Sequence, residues 1–220
     1  MPFLYNKRKF DIRCYMLTTS VKGQMRGYWY EEGYIRTSSK EFTTKNLKNR
    51  MIHLTNDAVQ KKGEDYGKYE NGNKISFADF QKYLDNNLAE KKLNFYKTVY
   101  PKMMRLARDA LTATHHVLDA KGREFTFEVF GLDFMIDEDF ETWLIEVNNN
   151  PCLELSSPLL ARIIPNMIEN AFKVAIDPLF PPPLNIPKTK NLQTDLFESN
   201  KFTLIFNSGD IEEGFQHSIS

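Results

Sequence analysis

The stretch that decides the fold runs Phe130-Gly131-Leu132-Asp133-Phe134-Met135-Ile136, then Asp137 to Glu141, then Thr142-Trp143-Leu144-Ile145-Glu146-Val147-Asn148. Apolar and aromatic segments on either side of an acidic turn predict an antiparallel hairpin whose first strand reaches back to Phe125. Successive strand side chains point to opposite faces, so Glu146 and Asn148 share one face and Ile145 and Val147 the other. If the hairpin closes through Asp137 and Thr142, Asp133 stands directly opposite Glu146. Opposed carboxylates repel unless a cation lies between them, and hard oxygen ligands of this kind suit Mg²⁺ shared with substrate phosphates. A slip of one residue would turn Glu146 and Asn148 away from Asp133 and leave two unrelated acids at a solvated hairpin edge.

Working outward, Phe10, Ile12, Cys14 and Met16 alternate with Lys9, Asp11, Arg13 and Tyr15, which predicts a half-buried strand from Lys9 to about Thr18. Lys9, Asp11 and Arg13 on its polar face could bind phosphoryl oxygens, the acid orienting the bases, or could form a solvated ladder. Tyr28-Trp29-Tyr30 and Tyr34-Ile35-Arg36-Thr37, joined by Glu31-Glu32-Gly33, predict a second hairpin with Arg36 on its return strand. The polar stretch from Thr37 to Ile75 reads as a long loop, interrupted by the island Met51 to Asn56, and such loops in compact domains carry binding or lid roles. Ser76 and Asp79 form a capping box before a helix marked by Phe77, Phe80, Leu84 and Leu88. The stripe Tyr96, Tyr100, Met103, Ala107, Leu111 and Thr114 predicts a longer helix, kinked or begun at Pro101. Ser157-Pro158 starts a third helix, with Leu160, Ile163, Ile164, Met167, Ile168, Ala171 and Val174 inward and a bend at Pro165. The expected fold class is α+β, a mostly antiparallel sheet flanked by helices over residues 1–180, with an irregular tail over residues 181–220.

The 220 residues are 41% hydrophobic, 13% aromatic and 26% charged, which suits a globular chain with a real core. Lys and Arg total 29, as do Asp and Glu, so no global field favours nucleic acid or an anionic membrane. No apolar run reaches the roughly 18 residues of a membrane span, and no secretory leader is visible. Cys14 and Cys152 form neither a metal spacing nor a disulfide framework, which fits a reducing cytoplasmic setting. No Walker loop and no GxGxxG occurs, so a nucleotide would need another kind of clamp.

Lys9-Phe10-Asp11-Ile12-Arg13, Arg36-Thr37-Ser38, His53-Leu54-Thr55-Asn56, Phe130-Gly131-Leu132-Asp133-Phe134 and Ile145-Glu146-Val147-Asn148-Asn149-Asn150-Pro151 resemble, in order, the motif series of the tubulin tyrosine ligase-like family. The resemblance covers about Leu4 to Pro178 and implies an ATP-grasp fold that uses ATP and Mg²⁺ to join an amino acid to tubulin through an acyl phosphate. It implies that Asp133, Glu146 and Asn148 hold the metal, and that Lys9, Asp11 and Arg13 face the phosphates. Arg13 would stabilise the charge that develops in transfer, and Arg36 would contact the acyl phosphate or the incoming amino acid. His53, Thr55 and Asn56, with Asp133, would shape the nucleotide cleft. Tyrosine, glutamate and glycine ligases share these motifs, and the run Tyr66 to Asn73 leans toward the tyrosine branch. The family places a first lobe before the strand at Lys9, so this chain is expected to be the C-terminal part of the catalytic domain, either as a fragment of a longer protein or because that lobe has been lost, with a partner chain as another source of it. The expected partners are an acidic tubulin tail and a free amino acid, and the expected location is cytoplasmic, on microtubules or a cilium. A rival reading from the same residues is a non-catalytic module that meets the acidic tail through Lys45, Lys48, Arg50, Lys61 and Lys62.

Overall fold

In the computed structural model, which describes residues 1–119, 121–181, 183 and 200–210, the sheet is laid out around β1 (Arg8–Val21). The strand runs past Thr18 because its alternation is stopped only by Lys22 and Gly23, whose φ values are 51° and 83°. Positive φ at both residues of a two-residue loop is the type I′ hairpin turn, whose twist matches that of its strands. Gln24 is thereby returned opposite Val21, and β2 (Gln24–Tyr30) pairs with the second half of β1. β3 (Tyr34–Glu41) pairs with the first half, from Arg13 opposite Tyr34 to Arg8 opposite Glu41.

The hairpin expected between residues 28–30 and 34–37 is therefore not formed. β2 and β3 follow each other along one edge of β1, and Glu31-Glu32-Gly33 is a step between them. Gly33 serves close approach here rather than reversal, since a Cβ on it would lie 2.4 Å from the Arg13 carbonyl oxygen.

Two very short helices, α1 (Arg50–His53) and α2 (Asp57–Gln60), stand in the long loop. It ends at β4 (Lys74–Ser76), which pairs with β3. α3 (Phe77–Asn87) starts at the predicted Ser76 cap, where the hydroxyl accepts from the Asp79 N–H at 3.1 Å. α4 (Phe95–Leu118) begins one residue before the expected stripe, at an Asn94 cap, so its buried ridge is Phe95, Val99, Met103, Ala107 and Leu111. Tyr96 and Thr114, expected inside, are exposed, and the helix continues through Pro101.

On the other edge of β1 lies β5 (Phe125–Ile136), which pairs in turn with β6 (Thr142–Asn148). α5 (Pro158–Ala175) starts at Ser157 as predicted and continues unbroken through Pro165. β7 (Phe202–Asn207) closes the sheet beside β2 and buries Phe202 and Phe206. It falls where an irregular tail was expected; the rest of that tail, residues 182, 184–199 and 211–220, lies outside the described residues.

The two faces of β1 explain the two cores. Phe10, Ile12, Cys14 and Met16 pack against α3 and α4, while Tyr15 and Leu17 pack under α5. Beyond the end of α5's cover, the second face carries Asp11 and Arg13 instead of apolar residues. Replacing the α5 cap, Ser157→Ala, removes the acceptor for the Leu160 N–H and is expected to lower stability by about 1 kcal/mol in urea unfolding.

Candidate active site

Strand register assembles the site. Tyr34, Arg13, Asp133 and Glu146 stand in line across β3, β1, β5 and β6, and Lys74, Arg36 and Asp11 form the next row on the same face. Asp133 does lie opposite Glu146, but the hairpin closes through Ile136 and Thr142 rather than Asp137 and Thr142. A bulge between Asp133 and Phe134 restores the predicted pairing and leaves Ile145 without an opposite number. The expected strict alternation of Ile145 against Glu146 fails at this bulge. Ile145 instead lines an open cleft of about 330 Å³ together with Lys9, Phe42, Met135 and Trp143.

The centre of the site is a chain of alternating charges. Arg13 holds Asp133 with both ends of its fork, Nε donating to Oδ1 at 2.5 Å and Nη2 to Oδ2 at 3.1 Å. Arg36 Nη2 donates to Asp133 Oδ2 at 2.8 Å, and its Nε donates to Asp11 Oδ1 at 2.8 Å while Nη2 also reaches Asp11 Oδ2. Burial by itself would raise the Asp133 carboxyl, but the Arg13 hydrogen bonds and the Arg36 and Arg13 charges outweigh it and hold the group below the usual carboxylate range. Burial likewise opposes the Arg36 charge and is outweighed by Asp11 and Asp133, so its affinity for the proton rises. Gly131 makes room for the fork: a Cβ there would lie 2.8 Å from Pro151 and 3.2 Å from Arg13 Nη1.

Glu146 is exposed on the open side of this chain and accepts from Asn148 Nδ2 at 3.1 Å, which leaves the Asn148 carbonyl oxygen and most of the Glu146 carboxylate available. Lys9 is half-buried beside the cleft and makes no hydrogen bond to the charged chain. The remaining predicted nucleotide residues are held elsewhere. His53 Nε2 lies 2.9 Å from the Asn46 carbonyl and its ring meets Phe42 edge-on, Thr55 is buried, and Asn56 sits at the cap position of α2 without a side-chain bond. Among the described residues no hydrogen bond joins these three to Arg13, Arg36 or Asp133.

Lys74 is a site residue that sequence reasoning missed. It pairs across the strand with Arg36, is buried, binds Asp57, and donates to the Gly72 carbonyl at 2.9 Å. Burial, only partly offset by Asp57, pulls its ammonium below the ordinary lysine range. Its one legible signal was its position directly before the apolar Ile75. Asp57 accepts from Ser156 at 3.0 Å, and Arg8 donates to Glu70 at 2.9 Å with its guanidinium 4.5 Å from the Tyr69 ring centre. These contacts fasten the long loop to the rim of the site. Of the basic residues in that loop, Lys45, Lys48, Arg50 and Lys62 are exposed, while Lys61 pairs with Glu154 at 2.7 Å.

The donor set fits Mg²⁺ under one condition. A carboxylate offers about four lone-pair sites, and the Arg13 and Arg36 bonds leave Asp133 part of that capacity, alongside Glu146 and Asn148. The charges of Lys9, Arg13 and Arg36 balance those of Asp11, Asp133 and Glu146, so a bare dication finds little net attraction. Phosphate oxygens arriving with the metal would supply the missing negative charge.

An antiparallel seven-stranded sheet flanked by helices, with paired acids and arginines on its open face, is the architecture of a partial ATP-grasp-like domain. The profile of the tubulin-tyrosine ligase family matches residues 1–184, and the chain belongs to that family. It is 33% identical over 181 residues to tubulin glycylase 3D of Tetrahymena thermophila, covering 80% of this chain and 17% of the relative. It is 35% identical over 179 residues to tubulin glycylase 3A of Drosophila melanogaster, again 80% and 17%. To the probable tubulin polyglutamylase TTLL9 of Rattus norvegicus it is 34% identical over 156 residues, 71% of this chain and 32% of the relative. The chain thus spans a third or less of the length of these relatives.

Proposed function

We propose that this chain forms the metal- and phosphate-facing part of an ATP-dependent ligase that joins an amino acid to tubulin. The observation that carries the reading is the in-line placement of Arg13, Asp133 and Glu146, with Arg36 bridging Asp133 and Asp11. In the reaction a carboxylate oxygen of the acceptor attacks the γ-phosphorus of ATP, ADP leaves, and an acyl phosphate forms. The amine of the second substrate then attacks the acyl carbon, inorganic phosphate departs, and the amine proton is lost. Arg13 and Arg36 present fixed guanidinium donors where charge builds on the transferring phosphoryl group. Asp11 and Asp133 hold both forks in place before substrate arrives. Lys9 adds a point charge at the mouth of the cleft, whose Met135, Trp143 and Ile145 walls offer flat apolar surface to a nucleotide base. Asp133, Glu146 and Asn148 would hold Mg²⁺, which when bound would supply charge neutralisation of the polyphosphate.

The glycylase names of the Tetrahymena and Drosophila relatives support glycine as the amino acid, in place of the tyrosine toward which Tyr66 to Asn73 leaned. The relatives' greater length supports a further lobe, from more chain or a partner, that covers the nucleotide. The acceptor is the acidic tail of tubulin, and the place of action is cytoplasmic, on microtubules or a cilium.

Calorimetric titration of the folded chain with a non-hydrolysable ATP analogue tests this directly. Binding in the micromolar range is expected with Mg²⁺ and analogue together, and none with Mg²⁺ alone, because the site is charge-balanced. No binding under either condition removes the nucleotide role from this chain and leaves the tubulin-binding module, for which co-sedimentation with microtubules is the measurement.

A further inference from the structure

The row of charges beside Arg36 ends in a side chain that no step of the proposed ligation uses. Lys74 on β4 stands opposite Arg36 across the strand pair, and its side chain is only 1% exposed. Its ammonium binds Asp57 Oδ1 and donates to the Gly72 carbonyl at 2.9 Å. The other Asp57 oxygen, Oδ2, accepts from the Ser156 hydroxyl at 3.0 Å. Asp57 opens α2 directly after Thr55 and Asn56, and Ser156 lies in the connection that carries the chain from Asn148 to the Ser157 cap of α5. One buried ammonium therefore joins β4, the long loop and the chain leaving β6 at a single point. Gly72 allows the approach: its φ is 61°, and a Cβ on it would lie 3.0 Å from the Ser156 carbonyl oxygen.

Stability alone does not call for this arrangement. Taking an ion pair out of water costs about as much as its attraction returns, and apolar residues of similar volume often serve a fold as well or better. Burial pulls the Lys74 ammonium below the ordinary lysine range, Asp57 offsets this only in part, and the Arg36 charge adds repulsion. What the pair does supply is position. With one Asp57 oxygen on Lys74 and the other on Ser156, the three segments have one mutual arrangement, whereas an apolar contact at the same place would let them slide. A second link between the loop and the β6–α5 connection, Lys61 to Glu154 at 2.7 Å, has side chains 34% and 60% exposed and so holds them weakly.

Resting on the ligase reading, we propose that Lys74 is a positioning residue of the reaction: through Asp57 and Ser156 it fixes the loop that carries Thr55 and Asn56, and the chain leaving Asn148, relative to Arg36. Its buried side chain touches neither nucleotide nor amino acid, so its loss is felt in the transfer step and not in nucleotide affinity.

Transfer of labelled glycine to tubulin by the complete enzyme at saturating ATP, with the folded fraction of each variant measured, tests the proposal. Lys74→Met and Asp57→Asn are each expected to lower kcat about 10–100-fold. The Kd of a non-hydrolysable ATP analogue should stay within about twofold of the parent. The double variant should be no slower than the worse single one, because both changes cut the same link, whereas independent structural damage would multiply. Ser156→Ala removes one neutral bond and no charge, stands in where the charge variants fail to fold, and should lower kcat about threefold or more. Glu154→Gln, on the exposed link, should stay within about twofold. A folded Lys74→Met or Ser156→Ala with parental kcat, effects that multiply in the double variant, a loss carried by nucleotide affinity, or an equal loss in Glu154→Gln overturns the proposal. A parent enzyme that transfers no amino acid to tubulin overturns the ligase reading and this proposal with it, while an active parent matched by Lys74→Met overturns this proposal alone.

Discussion

Asp133→Asn is expected to destabilise the chain by about 3–5 kcal/mol, because it leaves two buried guanidinium groups with too little negative charge between them. Arg13 and Arg36 each lose a charged acceptor at once, and Asp11 remains to answer only Arg36. Urea unfolding at neutral pH measures the loss. The pH dependence gives the sign. The Asp133 carboxyl is held below its unfolded value of about 3.9, so its contribution is complete above that value and disappears as pH falls through the folded one. The gap between the parent and Asp133→Asn should therefore stay level from pH 7 to about pH 5 and narrow below about pH 4. A gap that widens on acidification would mean that the carboxylate is not what holds the arginines. On the proposed ligase reading, activity is expected to fall in this variant too, but for a mixed reason, since the side chain both supports the fold and would face the phosphates.

The sequence made the facing acids Asp133 and Glu146 visible because both lie on one local hairpin, whose turn residues and alternation are read within a 12-residue span on either side of Asp137. It did not reveal the bulge at Ile145, since an added residue shows only when the strand is laid against its partner. The false hairpin at Glu31-Glu32-Gly33 has a similar cause. Two aromatic segments around a glycine look alike whether they pair with each other or follow one another along a third strand, and the deciding contact, Gly33 against Arg13, is tertiary. β7 was hidden by the proline-rich polar stretch before it, and its buried Phe202 and Phe206 enter opposite cores across a register shift, so no alternation marked it. Lys74 looked like one solvated lysine in a lysine-rich loop until its strand placed it beside Arg36. Charges that neutralise each other over 97 positions, as Arg36 and Asp133 do, leave no local trace.

Glu146→Gln separates chemistry from folding. Glu146 is exposed, and its one side-chain bond within the site is the one it accepts from Asn148, which an amide oxygen also accepts. Stability should stay within about 0.5 kcal/mol of the parent, in contrast to Asp133→Asn on the facing strand. Removing this charge tips the balance of the site toward the cations Lys9, Arg13 and Arg36, so on the proposed reading Mg²⁺ would lose an anionic ligand while the polyphosphate would keep its partners. Nucleotide analogue is then expected to bind with little dependence on Mg²⁺, and ligation measured as labelled glycine transferred to tubulin by the complete enzyme should fall by about 10²–10³-fold. The two readouts discriminate among causes. Loss of ligation with Mg²⁺-dependent binding intact places the metal on other residues and leaves Glu146 a role in the transfer step. Loss of Mg²⁺ dependence with the fold unchanged assigns Glu146 to the metal, and the facing position of Asp133 then accounts for the other half of that site.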